Sequence, residues 1–299
     1  MSRAAIAGDI AGSRFERSLW EGRSVADARC VGYDVAVPRR DSSGEVAARF
    51  DLFHPDCHVT DDTILSVAVM DWLLHGGDPR VSLRAHFRRS SHPELFGRYF
   101  RAWATTDDEA PCGSVGNGAA MRAAPIGHVA GSEAEAVRLA RLNAQATHTT
   151  DDAVAGAEAV ALGVYLARTG VPRAEIGREI GHRFGYDLDK PLDAWRPGYR
   201  FTSACRETVP VAFRAFLEAD GHEAAVRAAV SVGGDTDTVA CMAGGLAGAC
   251  WGIPMWVADR VADSLEAESL GVVTAFEKRY PSALRIAGES DAESDAAPD

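Results

Sequence analysis

Two short acidic clusters each stand directly before an apolar run with helical periodicity. The first comprises Thr60, Asp61 and Asp62 ahead of residues 63–76, and the second comprises Asp235, Asp237 and Thr238 ahead of residues 239–252. Aspartate and threonine are preferred helix N-caps, and first-turn acids complement the helix dipole, but capping needs only one such residue per helix. The remaining carboxylates would repel one another beside a buried segment unless a cation joins them. If the clusters meet in the fold, they form an oxygen-only site for Mg²⁺ or Mn²⁺, with room for two metals roughly 3.5–4 Å apart.

A third stretch, residues 112–127, is rich in glycine and carries small polar side chains at Ser114 and Asn117. Backbone N–H groups in such a turn can line an anion, although an ordinary connection between helices has the same composition. Arg122 could contact a phosphate, but a charge on a helix surface is the favoured interpretation. His148 ends a helical run, where a lone histidine is more often structural than functional.

The composition is that of an ordinary globular protein with an acidic balance. The chain has 299 residues, of which 46% are hydrophobic and 25% charged, and its formal net charge is −12. This charge argues against a protein that binds nucleic acid by neutralising phosphates. We find no signal-peptide pattern, and the apolar runs are shorter than the roughly 20 residues of a membrane span. The six cysteines form no CxxC pair, which favours free thiols in a reducing compartment, so we expect a cytoplasmic protein.

Helical periodicity runs through most of the sequence without alternating strands, so we expect an all-α domain. Helices are predicted over 63–76, 133–148, 151–170, 172–185, 209–219, 222–234, 239–252, 255–268 and 270–279. Gly244, Gly245 and Gly248 each disfavour a helix but allow a second helix to approach closely. The 239–252 helix is therefore predicted to lie at the centre of the domain and to hold its acidic start rigidly.

One region departs from the helical pattern. Residues 29–38 and 45–53 partly alternate and flank the turn sequence RRDSSG, so a small β-hairpin insertion is predicted within 29–53. The acidic, low-complexity tail at 286–299 is predicted to be disordered. No repeat or linker divides the remainder, which predicts a single domain over residues 1–285.

Five motifs, taken in order, resemble those of the ADP-ribosylglycohydrolase family, which includes the dinitrogenase-reductase-activating glycohydrolases and the ADP-ribosyl-acceptor hydrolases. The resemblance covers about residues 1–280, and its motifs are AGDIAGSRFE (7–16), TDDTILSVAV (60–69), GSVGNGAAMR (113–122), ATH (146–148) and GGDTDT (233–238). One motif would carry little weight, whereas five in the expected order are highly specific. The resemblance implies an orthogonal all-α bundle with a centre of two Mg²⁺ ions, or of Mn²⁺.

The resemblance also implies roles for individual residues. The metal ligands would be Thr60, Asp61, Asp62, Asp235, Asp237 and Thr238, and the substrate-binding residues would be Gly113, Ser114, Gly116, Asn117 and His148. Glu16 matches the acid that closes the first motif, and the candidates for the catalytic acid or base are Glu16, Asp61 and Asp235. Val115 departs from the family, because relatives often carry there an aromatic residue that can stack on the ligand.

The implied reaction is hydrolysis of the bond between C1″ of ADP-ribose and an acceptor atom on a protein or small conjugate. Arginine-linked ADP-ribose is the first choice of substrate, and serine-linked or O-acetyl-ADP-ribose is the alternative. A second class of function is that of an immunity or partner-binding protein against an ADP-ribosylating toxin. The 29–53 insertion would then be a docking element, whereas in an enzyme it could also be a flap over the cleft or a surface decoration.

Overall fold

The computed structural model describes residues 2–20, 39–40, 46–47 and 50–281, and it places the side chains of residues 2–15 and 50–281. Within these ranges the chain forms thirteen α-helices, so the all-α prediction is confirmed. They are α1 (Ser2–Trp20), α2 (Asp61–His75), α3 (Pro79–Arg89), α4 (Arg98–Ala104), α5 (Ala124–Val129), α6 (Glu133–Gln145), α7 (Asp151–Arg168), α8 (Arg173–Phe184), α9 (Cys205–Glu218), α10 (His222–Val230), α11 (Thr236–Trp251), α12 (Met255–Ser264) and α13 (Ala267–Arg279).

Helix α11 lies at the centre of the bundle, as its small residues predict. Every residue from Thr236 to Ala249 is buried, and the helix packs against α1, α7, α9 and α10. A Cβ atom added at Gly244 would overlap the carbonyl oxygen of Ala4 in α1, so only glycine allows this spacing between the two helices. The close approach fixes α11, and with it the acidic residues at its start, against α1.

The predicted hairpin falls largely outside the described residues. Its described residues include a pair of two-residue antiparallel strands, β1 (Arg39–Arg40) and β2 (Val46–Ala47). Residues 50–53, at the end of the predicted second strand, form no strand. Strand β1 takes the two arginines that the sequence analysis assigned to the turn. The predicted disordered tail, 286–299, also lies outside the described residues.

Four helices have no counterpart among the predicted ones: α1, α3, α4 and α5. All of residues 2–15 in helix α1 except Arg3 are buried, including the polar Asp9 and Ser13, so burial in this helix does not follow the division between apolar and polar side chains. Helix α9 begins at Cys205 rather than at the predicted residue 209, and it contains Pro210 in its interior. None of the helices in the described ranges combines the length and apolar character that a bilayer crossing requires.

Candidate metal centre and glycine loop

The first acidic cluster forms the start of α2. Thr60 is the N-cap in an extended conformation, and its hydroxyl accepts a hydrogen bond from the Asp62 backbone N–H at 3.3 Å. Asp61 and Asp62 occupy the first turn, where the unpaired N–H groups of the helix favour negative charge. Asp62 is buried, with a relative exposure of 1%, and Asp61 is half-buried.

The second cluster forms the start of α11. The chain enters this helix through Gly233 and Gly234, whose φ angles of 80° and 77° are left-handed and favour glycine. A Cβ atom at Gly234 would also lie 2.5 Å from the ring of Tyr199, so a larger residue is excluded there by contact as well. The turn places Asp235 at the N-cap and Asp237 in the first turn, and both are buried.

The two helix starts lie in contact. The Thr238 hydroxyl donates a hydrogen bond to Oδ2 of Asp62 at 3.2 Å, across 176 residues of sequence. Carboxylate oxygens of Asp62 and Asp237 lie within 4.8 Å of each other and of a third aspartate, Asp9 in α1. Buried, closely spaced carboxylate and hydroxyl oxygens are the donors that hard divalent cations prefer, so the residues present fit a Mg²⁺ or Mn²⁺ site.

Asp9 is the residue of this centre that the sequence analysis missed. Its side chain is completely buried, and it accepts four hydrogen bonds from the start of α2. Thr60 donates through its backbone N–H at 3.1 Å and its hydroxyl at 2.6 Å, and Thr63 donates through its N–H at 3.2 Å and its hydroxyl. Burial raises the pKa of Asp9, and the hydrogen bonds from Thr60 and Thr63 oppose that rise. Asp9 therefore positions the first turn of α2 through hydrogen bonds to Thr60 and Thr63.

The glycine-rich stretch at residues 112–127, called the glycine loop below, contacts the second cluster through Asn117. Its Nδ2 donates to Oδ2 of Asp235 at 2.7 Å and to the Thr208 hydroxyl at 3.4 Å. Asn117 begins a short 3-10 turn, Asn117–Ala119, and is itself 5% exposed. The loop and the α11 start are thus joined by a side chain that orients one oxygen of the Asp235 carboxylate.

The other end of the loop pairs with the segment after α6. The backbone N–H of Ser114 donates to the carbonyl of Thr147 at 3.1 Å, and Ser114 and His148 form an isolated parallel β-bridge. Gly118 lies against the imidazole of His148, because a Cβ atom there would be 3.6 Å from its Cε1 and Nε2. His148 also lines a cavity of about 480 Å³ between α6 and α7, together with Arg141, Asp151 and Glu158.

The interpretation of Arg122 as a surface charge is wrong. It is completely buried rather than a charge on a helix surface, and its guanidinium donates to the side chains of Asn143 and Thr147. Burial lowers the pKa of Arg122 to about 10, which leaves it charged at neutral pH. Its charge, together with burial as the larger cause, lowers the pKa of His148 to about 3.

The remaining predicted residues lie at or near these elements. Gly113 and Gly116 belong to the glycine loop, and Gly116 packs against Ser203. Val115 is 58% exposed. Glu16 lies in α1, and its side chain is outside the described residues.

The comparisons with known proteins agree with this architecture. A solved structure described as an "ADP-ribosylglycohydrolase-related protein complex" superposes with a TM-score of 0.61 and covers 95% of this chain and 98% of its own, at 23% identity. The likeness defines the fold as that of the ADP-ribosylglycohydrolases. The family model "ADP-ribosylglycohydrolase" matches residues 3–283, so the chain belongs to this family.

The chain is also similar to curated proteins that are named ADP-ribosylhydrolases. The bovine (Bos taurus) ADP-ribosylhydrolase ARH3 is 31% identical over 315 residues, which cover 83% of each chain. The mouse (Mus musculus) ADP-ribosylhydrolase ARH3 is 31% identical over 186 residues, or 47% of this chain. This alignment spans about half the length of the mouse relative.

Proposed function

We propose that the protein is a metal-dependent hydrolase that removes ADP-ribose from a modified acceptor. Water would add to C1″ of the ribose, the bond from C1″ to the acceptor atom would break, and the acceptor would leave with a proton. The observation that carries this proposal is the meeting of two acidic helix starts, through Thr238 and Asp62, inside a fold shared with the ADP-ribosylglycohydrolases. Family membership and the relatives named ADP-ribosylhydrolase support the same reaction.

The donor set of the centre supports two Mg²⁺ ions, with Mn²⁺ as the alternative. The residues that would hold them are Thr60, Asp61, Asp62, Asp235, Asp237 and Thr238. When bound, such ions supply Lewis acidity toward substrate oxygens and lower the pKa of bound water. The buried positions of Asp62 and Asp237 suit this role, because buried carboxylates this close together repel each other without a cation.

The protein's own groups would position the substrate and move protons. Gly113, Ser114, Gly116 and Asn117 would line the phosphates and distal ribose, and Asn117 would at the same time orient Asp235. The reacting centre passes through an oxocarbenium-like transition state, so one carboxylate must take a proton from water or give one to the leaving group. Glu16, Asp61 and Asp235 are the proposed carboxylates for that proton transfer.

Arginine-linked ADP-ribose on protein is the first acceptor to test. Serine-linked ADP-ribose and O-acetyl-ADP-ribose are the alternatives, and all three substrates can be compared in one assay. The measurement is the release of free ADP-ribose with Mg²⁺, with Mn²⁺ and with EDTA. Metal-dependent release from one substrate identifies the acceptor, whereas no release from any of the three, with Mg²⁺ binding demonstrated, contradicts the proposed reaction.

Asp235→Ala tests the assignment of the metal centre. Removing this carboxylate should abolish turnover and weaken Mg²⁺ binding, because Asp235 opens α11 beside Asp237 and receives the Asn117 amide. Asp263→Ala is the matched control, since Asp263 is an exposed aspartate on α12. Full activity of Asp235→Ala at saturating substrate would contradict the two-metal assignment.

A further inference from the structure

A buried hydrogen-bond chain leads from Arg122 to the imidazole of His148. The Arg122 Nε donates to the side-chain oxygen of Asn143 at 2.8 Å, and its Nη2 donates to the Asn143 carbonyl at 3.2 Å and to the Thr147 hydroxyl at 2.8 Å. The Thr147 hydroxyl lies 2.8 Å from Nδ1 of His148. All four residues are 3% exposed or less, so the atoms that make these hydrogen bonds are shielded from water.

The direction of these hydrogen bonds follows from the donor inventory. A guanidinium has only donors, so the Thr147 oxygen must accept from Arg122. The hydroxyl then has one hydrogen of its own to donate. Among the described residues, the acceptor within reach of that hydrogen is Nδ1 of His148, which must therefore carry no proton.

The ring proton of His148 consequently belongs on Nε2. Burial and the charge of Arg122 lower the pKa of His148 to about 3, so at neutral pH the ring is neutral and carries one proton. The opposite tautomer would leave the Thr147 hydroxyl hydrogen buried without an acceptor, at a cost of about 1–3 kcal/mol. That cost corresponds to a preference of roughly 5- to 150-fold for the Nε2–H form.

We propose that Arg122 and Thr147 are positioning residues that fix His148 as its Nε2–H tautomer, so that the ring offers a hydrogen-bond donor to a ligand oxygen. Nε2 is buried and has no hydrogen-bond partner among the described residues. It lies beside Gly118 of the glycine loop, where a Cβ atom would be 3.6 Å away. The ligand class is one with hydroxyl or phosphate oxygens, and its identification as ADP-ribose rests on the proposed function.

The tautomer can be measured without any substrate. Two-bond ¹H–¹⁵N correlation spectra of the full chain distinguish a protonated ring nitrogen from a bare one, and His148→Gln identifies the resonances by their loss. We expect His148 to be neutral, with the proton on Nε2, from pH 8 down to about pH 5, in keeping with its lowered pKa. A cationic ring at neutral pH, or a proton on Nδ1, would overturn the proposal.

Variants of Thr147 test the positioning role. Thr147→Ser keeps the hydroxyl and should keep the Nε2–H tautomer, whereas Thr147→Val removes the hydroxyl and should yield a mixture of both tautomers. An unchanged tautomer in folded Thr147→Val would overturn the role of Thr147. If Thr147→Val does not fold, the wild-type and Thr147→Ser spectra still decide the tautomer.

The ligand contact is tested by titrating ADP-ribose in the presence of Mg²⁺. We expect the Nε2 resonance of His148 to shift and Thr147→Val to lower the affinity by about tenfold, the equivalent of one hydrogen bond. Binding by calorimetry without any change at Nε2 would overturn this contact. If ADP-ribose does not bind at all, the proposed function fails, while the tautomer measured without ligand still stands or falls by itself.

Discussion

Asp9 shows how one side chain in the middle of a helix can determine the geometry of another helix start. Its two oxygens accept from four donors, all of which belong to Thr60 and Thr63 at the beginning of α2. Those donors include the N–H groups that a helix leaves unpaired in its first turn. Asp9 thus supplies the acceptors for the donor groups in the first turn of α2, and it holds Asp62 close to Asp237.

Asp9→Ala and Asp9→Asn separate the hydrogen-bonding role of Asp9 from its charge. Asp9→Ala removes the acceptor of four buried donors and should lower the free energy of unfolding by about 3 kcal/mol or more. Oδ2 of Asp9 accepts from the backbone N–H of Thr60 and from both the N–H and the hydroxyl of Thr63. Asp9→Asn keeps an oxygen that can accept from these three donors, so it should retain most of the stability. It also removes a negative charge beside Asp62 and Asp237, so it should weaken Mg²⁺ binding.

Urea unfolding and Mg²⁺ titration check both variants of Asp9. An Asp9→Ala protein that unfolds at the wild-type urea concentration would contradict the positioning role. Equal Mg²⁺ affinity of wild type and Asp9→Asn would show that the charge of Asp9 does not contribute to the cation site.

The positions of the acidic residues in their helices determine which of them the sequence reveals as members of the candidate metal centre. The clusters at 60–62 and 235–238 were visible because each combines a capping residue with more acid than capping requires. Asp9 was not, since it lies in the interior of a helix and its partner Thr60 is 51 residues away. The available signal was a carboxylate inside the apolar run of residues 4–11, and Arg122 gave the same signal in residues 119–126.

At the scale of elements, the crossing of α1 and α11 determines where the acidic residues of α11 lie. The helices approach so closely at Gly8 and Gly12 that a Cβ atom at either position would overlap backbone atoms of α11. At Gly12 the overlapped atoms belong to Thr236 and Asp237, in the first turn of α11. The crossing point and the candidate metal centre are therefore the same region of the helix.

Gly12→Ala tests this coupling between packing and site. The added methyl group should force α1 and α11 apart, lower the free energy of unfolding by about 1–3 kcal/mol and weaken Mg²⁺ binding through displacement of Asp237. Gly271→Ala is the control, because a Cβ atom there meets nothing within 4 Å on α13. That variant should be stabilised by up to about 1 kcal/mol and leave Mg²⁺ binding unchanged.

Thermal unfolding and Mg²⁺ titration of the two glycine variants test whether the crossing of α1 and α11 positions the candidate metal centre. Wild-type Mg²⁺ affinity in Gly12→Ala would show that the crossing does not position the site. Destabilisation of Gly271→Ala equal to that of Gly12→Ala would trace the effect to helix substitution in general rather than to the crossing.

The helices differ in how far the sequence reveals them. Helices α6, α8, α10 and α12 were predicted with starts within one residue of those observed, because their polar faces alternate with apolar ones. Helix α3 was missed although Asp78 and Pro79 are a recognisable start, since five arginine and histidine residues interrupt its apolar pattern. Helix α11 lacks that alternation because it is buried on all sides, and its small residues were the feature that indicated tight packing.

At the scale of the whole molecule, the site exists only after distant segments have come together. The hydrogen bonds that join its parts span 51, 118 and 176 residues of sequence. Formation of the centre and folding of the bundle are therefore one event, so Mg²⁺ should raise the stability of the domain by binding only its folded form.

Three buried histidines make the molecule sensitive to acid. Burial lowers the pKa of His222 to about 4, that of His148 to about 3, and that of His128 well below its ordinary value. The unfolded chain therefore takes up protons below pH 6.5 that the folded protein does not bind. Their contribution to stability is complete above pH 6.5 and is lost as the pH falls, by about 1.4 kcal/mol per pH unit for each ring.

His128→Leu isolates one of these contributions outside the candidate site. Both ring nitrogens of His128 are buried without a hydrogen-bond partner among the described residues, so an apolar side chain of similar size suits the position. The free energy of unfolding of the variant relative to wild type should increase by about 1.4 kcal/mol for each pH unit below 6.5. The control is His182→Leu, since the exposed His182 meets water in both states. Urea unfolding between pH 7.5 and 4.5 gives the curves, and a His128→Leu curve parallel to the wild-type curve would contradict this source of acid sensitivity.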